Sequence, residues 1–203
     1  MTISIPTLNT GIPSVDKSFR IACGDFAGNI ARFQNNPVII AGMDYDSPWI
    51  RDAAFNTWYA GMLCPDIAKN TLCSVLTRTE NGLFIDDGSE QYWDKIIWAW
   101  GAWKYYLYTG DSEFIKTALE AVENTLVQLI RDEFDEKDGL FRGGACFQDG
   151  IAAYPDKFVS RQRQSALVSC LSDRPRPEFL VDKGMGIPCK ALSTNCLYLA
   201  AYE

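Results

Sequence analysis

Between Met43 and Trp58 the chain sets Asp44, Asp46, Arg51, Asp52 and Asn56 among the rings of Tyr45, Trp49, Phe55 and Trp58. A packed apolar core does not call for that mixture. A site for a neutral, many-hydroxyl ligand does: carboxylates, a guanidinium and a carboxamide fix hydroxyl groups, and flat rings cover the apolar faces of a sugar. The same residues would also serve as a helix start with a buried ion pair, and on residue types alone both readings stand. The sequence has no histidine. Ser-His-Asp and Cys-His catalysis and His-ligated metal are therefore excluded, and carboxylates are left as the acid–base groups. The Asp44-Tyr45-Asp46 spacing has no supporting cluster of acidic ligands, so neither a metal nor another cofactor is expected.

The bulk properties agree with an enzyme-like globular chain. Its 203 residues are 47% hydrophobic and 13% aromatic, enough for one domain, or a large part of one, spanning 1–203 with a sizeable core. The net charge of −7 and the absence of any basic block argue against nucleic acid and anionic membrane as partners. The seven cysteines form no CxxC pair. They read as buried thiols in a reducing compartment, and with no signal-like start the expected location is cytoplasmic.

These residues must be positioned by elements that read as helices. Helical patterns are expected over Pro13–Phe33, from about Trp49 to Leu63 with Ser47 capping and Pro48 in the first turn, and from Pro65 to about Leu76. Asn35-Asn36-Pro37 is expected to break the chain and Val38–Ala41 to be a short extended run. Thr77–Gln91 is expected to be a loop. Tyr92–Thr109 and a helix from Asp111 to about Phe134 read as an αα-hairpin, with Gly110 as stop and Asp111 as cap. Asp135–Asp156 is a glycine-rich loop, Lys157–Leu171 a further helix, and Ser193 begins a last one. No exact internal repeat is found. The final apolar pattern stops without a cap, which reads as the end of a fragment of a larger helical domain.

Three segments carry a resemblance to the six-hairpin glycosidase superfamily, and most to bacterial hydrolases of the glucoamylase, trehalase and processing α-glucosidase type. Asp46-Ser-Pro-Trp-Ile-Arg-Asp52 resembles the tryptophan-x-arginine-aspartate motif ahead of an early barrel helix. Tyr105-Tyr-Leu-Tyr-Thr-Gly-Asp111 resembles a recurrent hairpin turn. Gly143–Pro155 resembles the loop that commonly bears the general acid. The resemblance implies an all-α fold, an (α/α)6 toroid, of which this chain would supply about the first half.

It also implies glycoside hydrolysis of oligosaccharides of the α-glucoside type, with inversion. Asp149, among small and aromatic residues that would raise its pKa, is the expected general acid. Arg51 and Asp52 are expected to hold sugar hydroxyls, with Trp49 stacking and Asp46 and Gln148 as further contacts. Asp86, Asp87 and Glu90 are secondary candidates. The base is expected to lie beyond residue 203, so the chain alone would lack the complete carboxyl pair. The expected partners are a carbohydrate substrate and a second copy, through exposed helix faces. Two rival readings are a non-catalytic carbohydrate-binding or helical scaffold protein and another α-toroid enzyme such as a polysaccharide lyase.

Overall fold

The structure is a computed structural model, and it describes residues 5–88, 91–146 and 189–203. Helix α1 (Pro13–Gly28) begins with proline in its first turn, where a missing N–H costs nothing. It does not run on to Phe33. Residues 30–33 form strand β1 (Ile30–Phe33), which pairs antiparallel with β2 (Asn36–Ile39). Gln34 and Asn35 connect them, both at positive φ, the backbone hand that matches strand twist in a two-residue hairpin. The asparagines expected to break a helix instead close a hairpin.

Helices α2 (Ile50–Leu63) and α3 (Pro65–Cys73) follow, and then a second hairpin, β3 (Leu76–Thr79) with β4 (Gly82–Ile85), in the stretch expected to be a loop. A 3-10 turn over Tyr92–Asp94 leads into α4 (Ile97–Thr109). Gly110 ends α4 in the left-handed conformation, and the Asp111 carboxylate caps α5 (Ser112–Glu133) by accepting the Phe114 N–H at 2.9 Å. Both ends are as expected, because each depends on local chemistry alone. A third hairpin, β5 (Phe134–Asp135) with β6 (Leu140–Phe141), and helix α6 (Leu192–Tyr202) complete the described elements. The helix expected over Lys157–Leu171 lies outside the described residues.

The all-α toroid is thereby corrected. The described residues are 57% helical, with 14% in short antiparallel strand pairs, so the fold is mixed rather than all-helical. The reason lies in strand length. A four-residue strand carries too few alternations for a two-residue period to be read, and its turn residues look like loop punctuation.

The elements follow a repeating order of helix, hairpin and helix: α1-β1-β2-α2, then α3-β3-β4-α4, then α5-β5-β6 and α6. The first helix of a unit grips the hairpin of the preceding unit through its second strand. Thr71 of α3 accepts the Ile39 N–H at 2.9 Å, and Thr125 of α5 accepts the Ile85 N–H at 3.0 Å. Their neighbours act alike: Asn70 donates to the Pro37 carbonyl at 3.2 Å and Asn124 to the Leu83 carbonyl at 3.1 Å. The sequence holds an echo of this. Asn70-Thr-Leu72 precedes Gly82-Leu-Phe84, and Asn124-Thr-Leu126 precedes Gly139-Leu-Phe141.

One continuous core joins α2, α3, α4 and α5 to the hairpins and reaches Tyr198 of α6, and α2 and α4 pack closely within it. A Cβ on Gly101 would stand 2.7 Å from the Ala54 Cα, so the two backbones meet at a residue that must lack one. Trp98, fully buried, donates its indole N–H to the Leu72 carbonyl at 3.0 Å and fixes α4 against α3. Replacing Thr71 or Thr125 with valine keeps side-chain volume and leaves a buried strand N–H without its acceptor. Each change is expected to lower stability by about 1–3 kcal/mol in urea unfolding, and an unchanged midpoint would remove the clamp from the account.

Candidate functional site

Each unit leaves the second strand of its hairpin through a connection that leads toward a helix. The connection after β2 leads into α2 and that after β4 into α4; the one after β6 is described as far as Cys146. These connections bond to one another. The Asp87 carboxylate, from the second, accepts the N–H of Ile50 at the start of α2, at 3.1 Å. The expected Ser47 cap is thus replaced: Trp49 holds the cap position in an extended conformation, without a side-chain capping bond. A carboxylate supplied from a different unit suits the positive end of the helix dipole.

One residue into α2, Arg51 donates from Nη1 to Oδ2 of Asp94 at 2.7 Å. Only 15% of the arginine side chain and 5% of the aspartate side chain meet solvent. On the sequence, Arg51 and Asp52 are expected together to hold sugar hydroxyls, with a structural Arg–Asp pair as the alternative. Successive helical residues point about 100° apart, and the carboxylate that meets Arg51 comes from the 3-10 turn of the next unit. A signal for Asp94 was present. It stands beside Lys95 in a stretch that is otherwise apolar and aromatic, between Tyr92-Trp93 and Ile96-Ile97. A buried carboxylate in such surroundings needs a cation.

The third connection closes on this pair. Gly143 lies so near the 3-10 turn that a Cβ would stand 2.8 Å from the Trp93 Cβ, and its φ of +143° also favours glycine. Cys146 donates from Sγ to the Trp93 carbonyl at 2.9 Å, and its backbone N–H donates to the Thr194 hydroxyl at 3.2 Å. That hydroxyl donates in turn to the Gly144 carbonyl at 2.6 Å. Burial first, and the nearby Asp94 charge second, push the Cys146 thiol up to about 12. It is therefore a protonated donor and not a thiolate nucleophile.

The structure thus brings together Arg51, Asp94, Trp93, Cys146 and Thr194. Asp52 and Trp49 are half-buried at the same helix start, and the Tyr45 ring meets Trp49 edge-on at 6.1 Å. Asp46 is exposed in the connection. Gln148 and Asp149 lie outside the described residues, two and three positions beyond Cys146, as does Glu90. Asp86, a secondary candidate, pairs with Lys95 at 3.4 Å. Among the described residues, no group of three or more acidic or cysteine side chains is placed to hold a metal ion, and no helix is long and apolar enough to cross a membrane. A separate open groove of about 610 Å³ runs between the second hairpin and α5, beside Glu80, Phe84, Gln128 and Arg131.

The chain re-enters the described residues at Cys189, where Lys190 Nζ lies 2.7 Å from Asp135 Oδ2 and also meets Asp138. The Lys190 ammonium first, and the Lys137 backbone N–H second, hold the Asp135 carboxyl at about 2. A carboxyl lowered in the folded state stabilises it fully above the unfolded value of about 3.9, and loses that contribution as pH falls toward 2. The stability gap between the wild type and Asp135→Asn is therefore expected to be constant above about pH 4 and to close as pH falls toward 2. Urea midpoints across that range measure it, and a gap that widens with acid would contradict the pairing.

No protein-family model matches this chain, and neither a curated protein nor a solved structure matches it.

Proposed function

We propose that this chain acts on neutral carbohydrate, as a glycoside hydrolase for oligosaccharides of the α-glucoside type, with the site at the hairpin-to-helix connections. One observation carries the reading: Arg51 is locked by a buried carboxylate where the connections bond to one another, with Trp49 and Asp52 beside it in the chain. A guanidinium held by Asp94 keeps a fixed orientation, and its planar fork of donors is a group suited to paired hydroxyls. Asp52 accepts hydroxyl protons, and the Trp49 ring offers a flat apolar face. Asp46 and Gln148 are assigned as outer hydroxyl contacts.

Asp149 is assigned as the general acid. It follows in the chain three residues after Cys146, whose backbone N–H and thiol are bonded to Thr194 and Trp93. In the inverting mode it would protonate the leaving oxygen while a second carboxylate, about 6.5–9.5 Å away, activates water on the opposite face of the sugar. No residue of this chain is assigned as that base. A second reading is sugar binding without turnover. The commitment of Asp94 to Arg51 favours it, because this buried carboxylate is engaged and not free to activate water.

Titration calorimetry with maltose tests the site. Arg51→Lys keeps a charge opposite Asp94 and loses the fork. It is expected to weaken binding about 10- to 100-fold, the loss of about 1.5–3 kcal/mol of charged hydrogen bonding, with the circular-dichroism spectrum unchanged. Undiminished maltose affinity in a folded Arg51→Lys variant would refute the assignment. Glucose release then separates the two readings: turnover of maltose that is lost in Asp149→Asn would establish a hydrolase with its base inside this chain, and maltose binding without turnover, unchanged in Asp149→Asn, would favour a binding protein.

A further inference from the structure

We propose that Asn81 is a site of spontaneous covalent modification: its carboxamide closes on the backbone nitrogen of Gly82, and the ring then opens with water to isoaspartate and aspartate. The inference is independent of the carbohydrate reading. Glu80 and Asn81 connect β3 to β4, and Asn81 is exposed at the tip of the hairpin. Its backbone N–H donates to the Thr79 hydroxyl at 3.1 Å, whereas its carboxamide makes no hydrogen bond among the described residues. The next position has to be glycine. Its φ is +128°, and a Cβ there would stand 2.5 Å from Nδ2 of Asn124, which is itself tied to the Leu83 carbonyl. The clamp of α5 on the hairpin thus keeps a residue without a side chain beside an unbonded carboxamide, and such a residue offers the least obstruction to attack by its own nitrogen. The chain has nine asparagines, and Asn81 alone precedes glycine. Asn36 precedes Pro37, which has no N–H to give up. Asn70, Asn124 and Asn195 engage their carboxamides with backbone carbonyls, and Asn56 lies inside α2.

In the first step the bond between the Gly82 nitrogen and Asn81 Cγ forms and the Cγ–Nδ2 bond breaks. The backbone amide proton leaves with the side-chain nitrogen as ammonia. Water then opens the cyclic imide on either side. Cleavage at Cγ leaves aspartate. Cleavage at the Asn81 backbone carbonyl leaves isoaspartate, with the chain running through the former side chain and one methylene longer. That methylene enters just ahead of Leu83 and Ile85, whose carbonyl and N–H are held by Asn124 at 3.1 Å and Thr125 at 3.0 Å. Isoaspartate at this position therefore moves the second strand out of register with α5. Aspartate adds a charge and leaves the backbone as it was.

Peptide mapping by mass spectrometry reads the modification after storage of the full chain in mildly alkaline buffer, with a urea-unfolded sample alongside to show that the conditions suffice. In the folded chain the peptide bearing Asn81 is expected to gain the mass of amide-to-acid conversion ahead of every other asparagine peptide, with isoaspartate among the products. An Asn81 amide that persists in the folded chain while it converts in the unfolded one would overturn the site. Urea midpoints then read the consequence. The stored, converted wild type is expected to unfold at lower urea than the fresh chain. Stored Asn81→Ser is expected to keep its fresh midpoint, and fresh Asn81→Asp to unfold as the fresh wild type does. A converted wild type with the fresh midpoint, or an Asn81→Asp variant as destabilised as the stored chain, would overturn the link to the α5 clamp.

Discussion

A two-stranded hairpin of four-residue strands has an outer edge whose N–H and C=O groups must find partners or face water. The first and second hairpins meet that need in the same way. A threonine hydroxyl takes the last N–H of the second strand, and the adjacent asparagine donates to the carbonyl two residues earlier. Both residues sit on the first helix of the following unit, so satisfying an edge and stacking a unit are one event. The third hairpin uses a variant of the device: Asn195 of α6 both donates to and accepts from the backbone of Phe141.

Unit stacking has a consequence for chemistry. It sets the connections that leave the hairpins side by side, so groups far apart in the chain become partners. Asp87 caps α2, Asp94 holds Arg51, and Cys146 bonds to the backbone of Trp93. The Arg51–Asp94 pair is the most demanding of these, because two charges taken from water require close geometry to offset desolvation. Its rigidity follows from the helix start on one side and the 3-10 turn on the other. An arginine held in this way is already oriented, so that little ordering cost would remain for a group that bonds to it.

Local chemistry was legible in the sequence and long-range chemistry was not. Gly110 and Asp111 stop and cap their helices as read, because each acts within one turn of itself. The hairpins were missed: Asn35 and Asn36 look the same whether a chain breaks or reverses. The helix that carries Arg51 was legible from its pattern, whereas the arginine's partner was not, since Asp94 lies 43 residues away. The unit repeat was readable only in two short echoes, Asn-Thr-Leu and Gly-Leu-Phe. Their spacing differs between the units because α5 runs further past Asn124 than α3 does past Asn70, while the third hairpin has shorter strands than the second.

On the proposed function, the stacked units gather the hairpin-to-helix connections around Arg51 and Asp94 as a carbohydrate site. Backbone hydrogen exchange, followed peptide by peptide with and without saturating maltose, tests it most directly. The account predicts slower exchange confined to segments 41–52, 86–95 and 142–146. Protection instead along Thr77–Phe84 and the facing part of α5, or no protection anywhere, would contradict it.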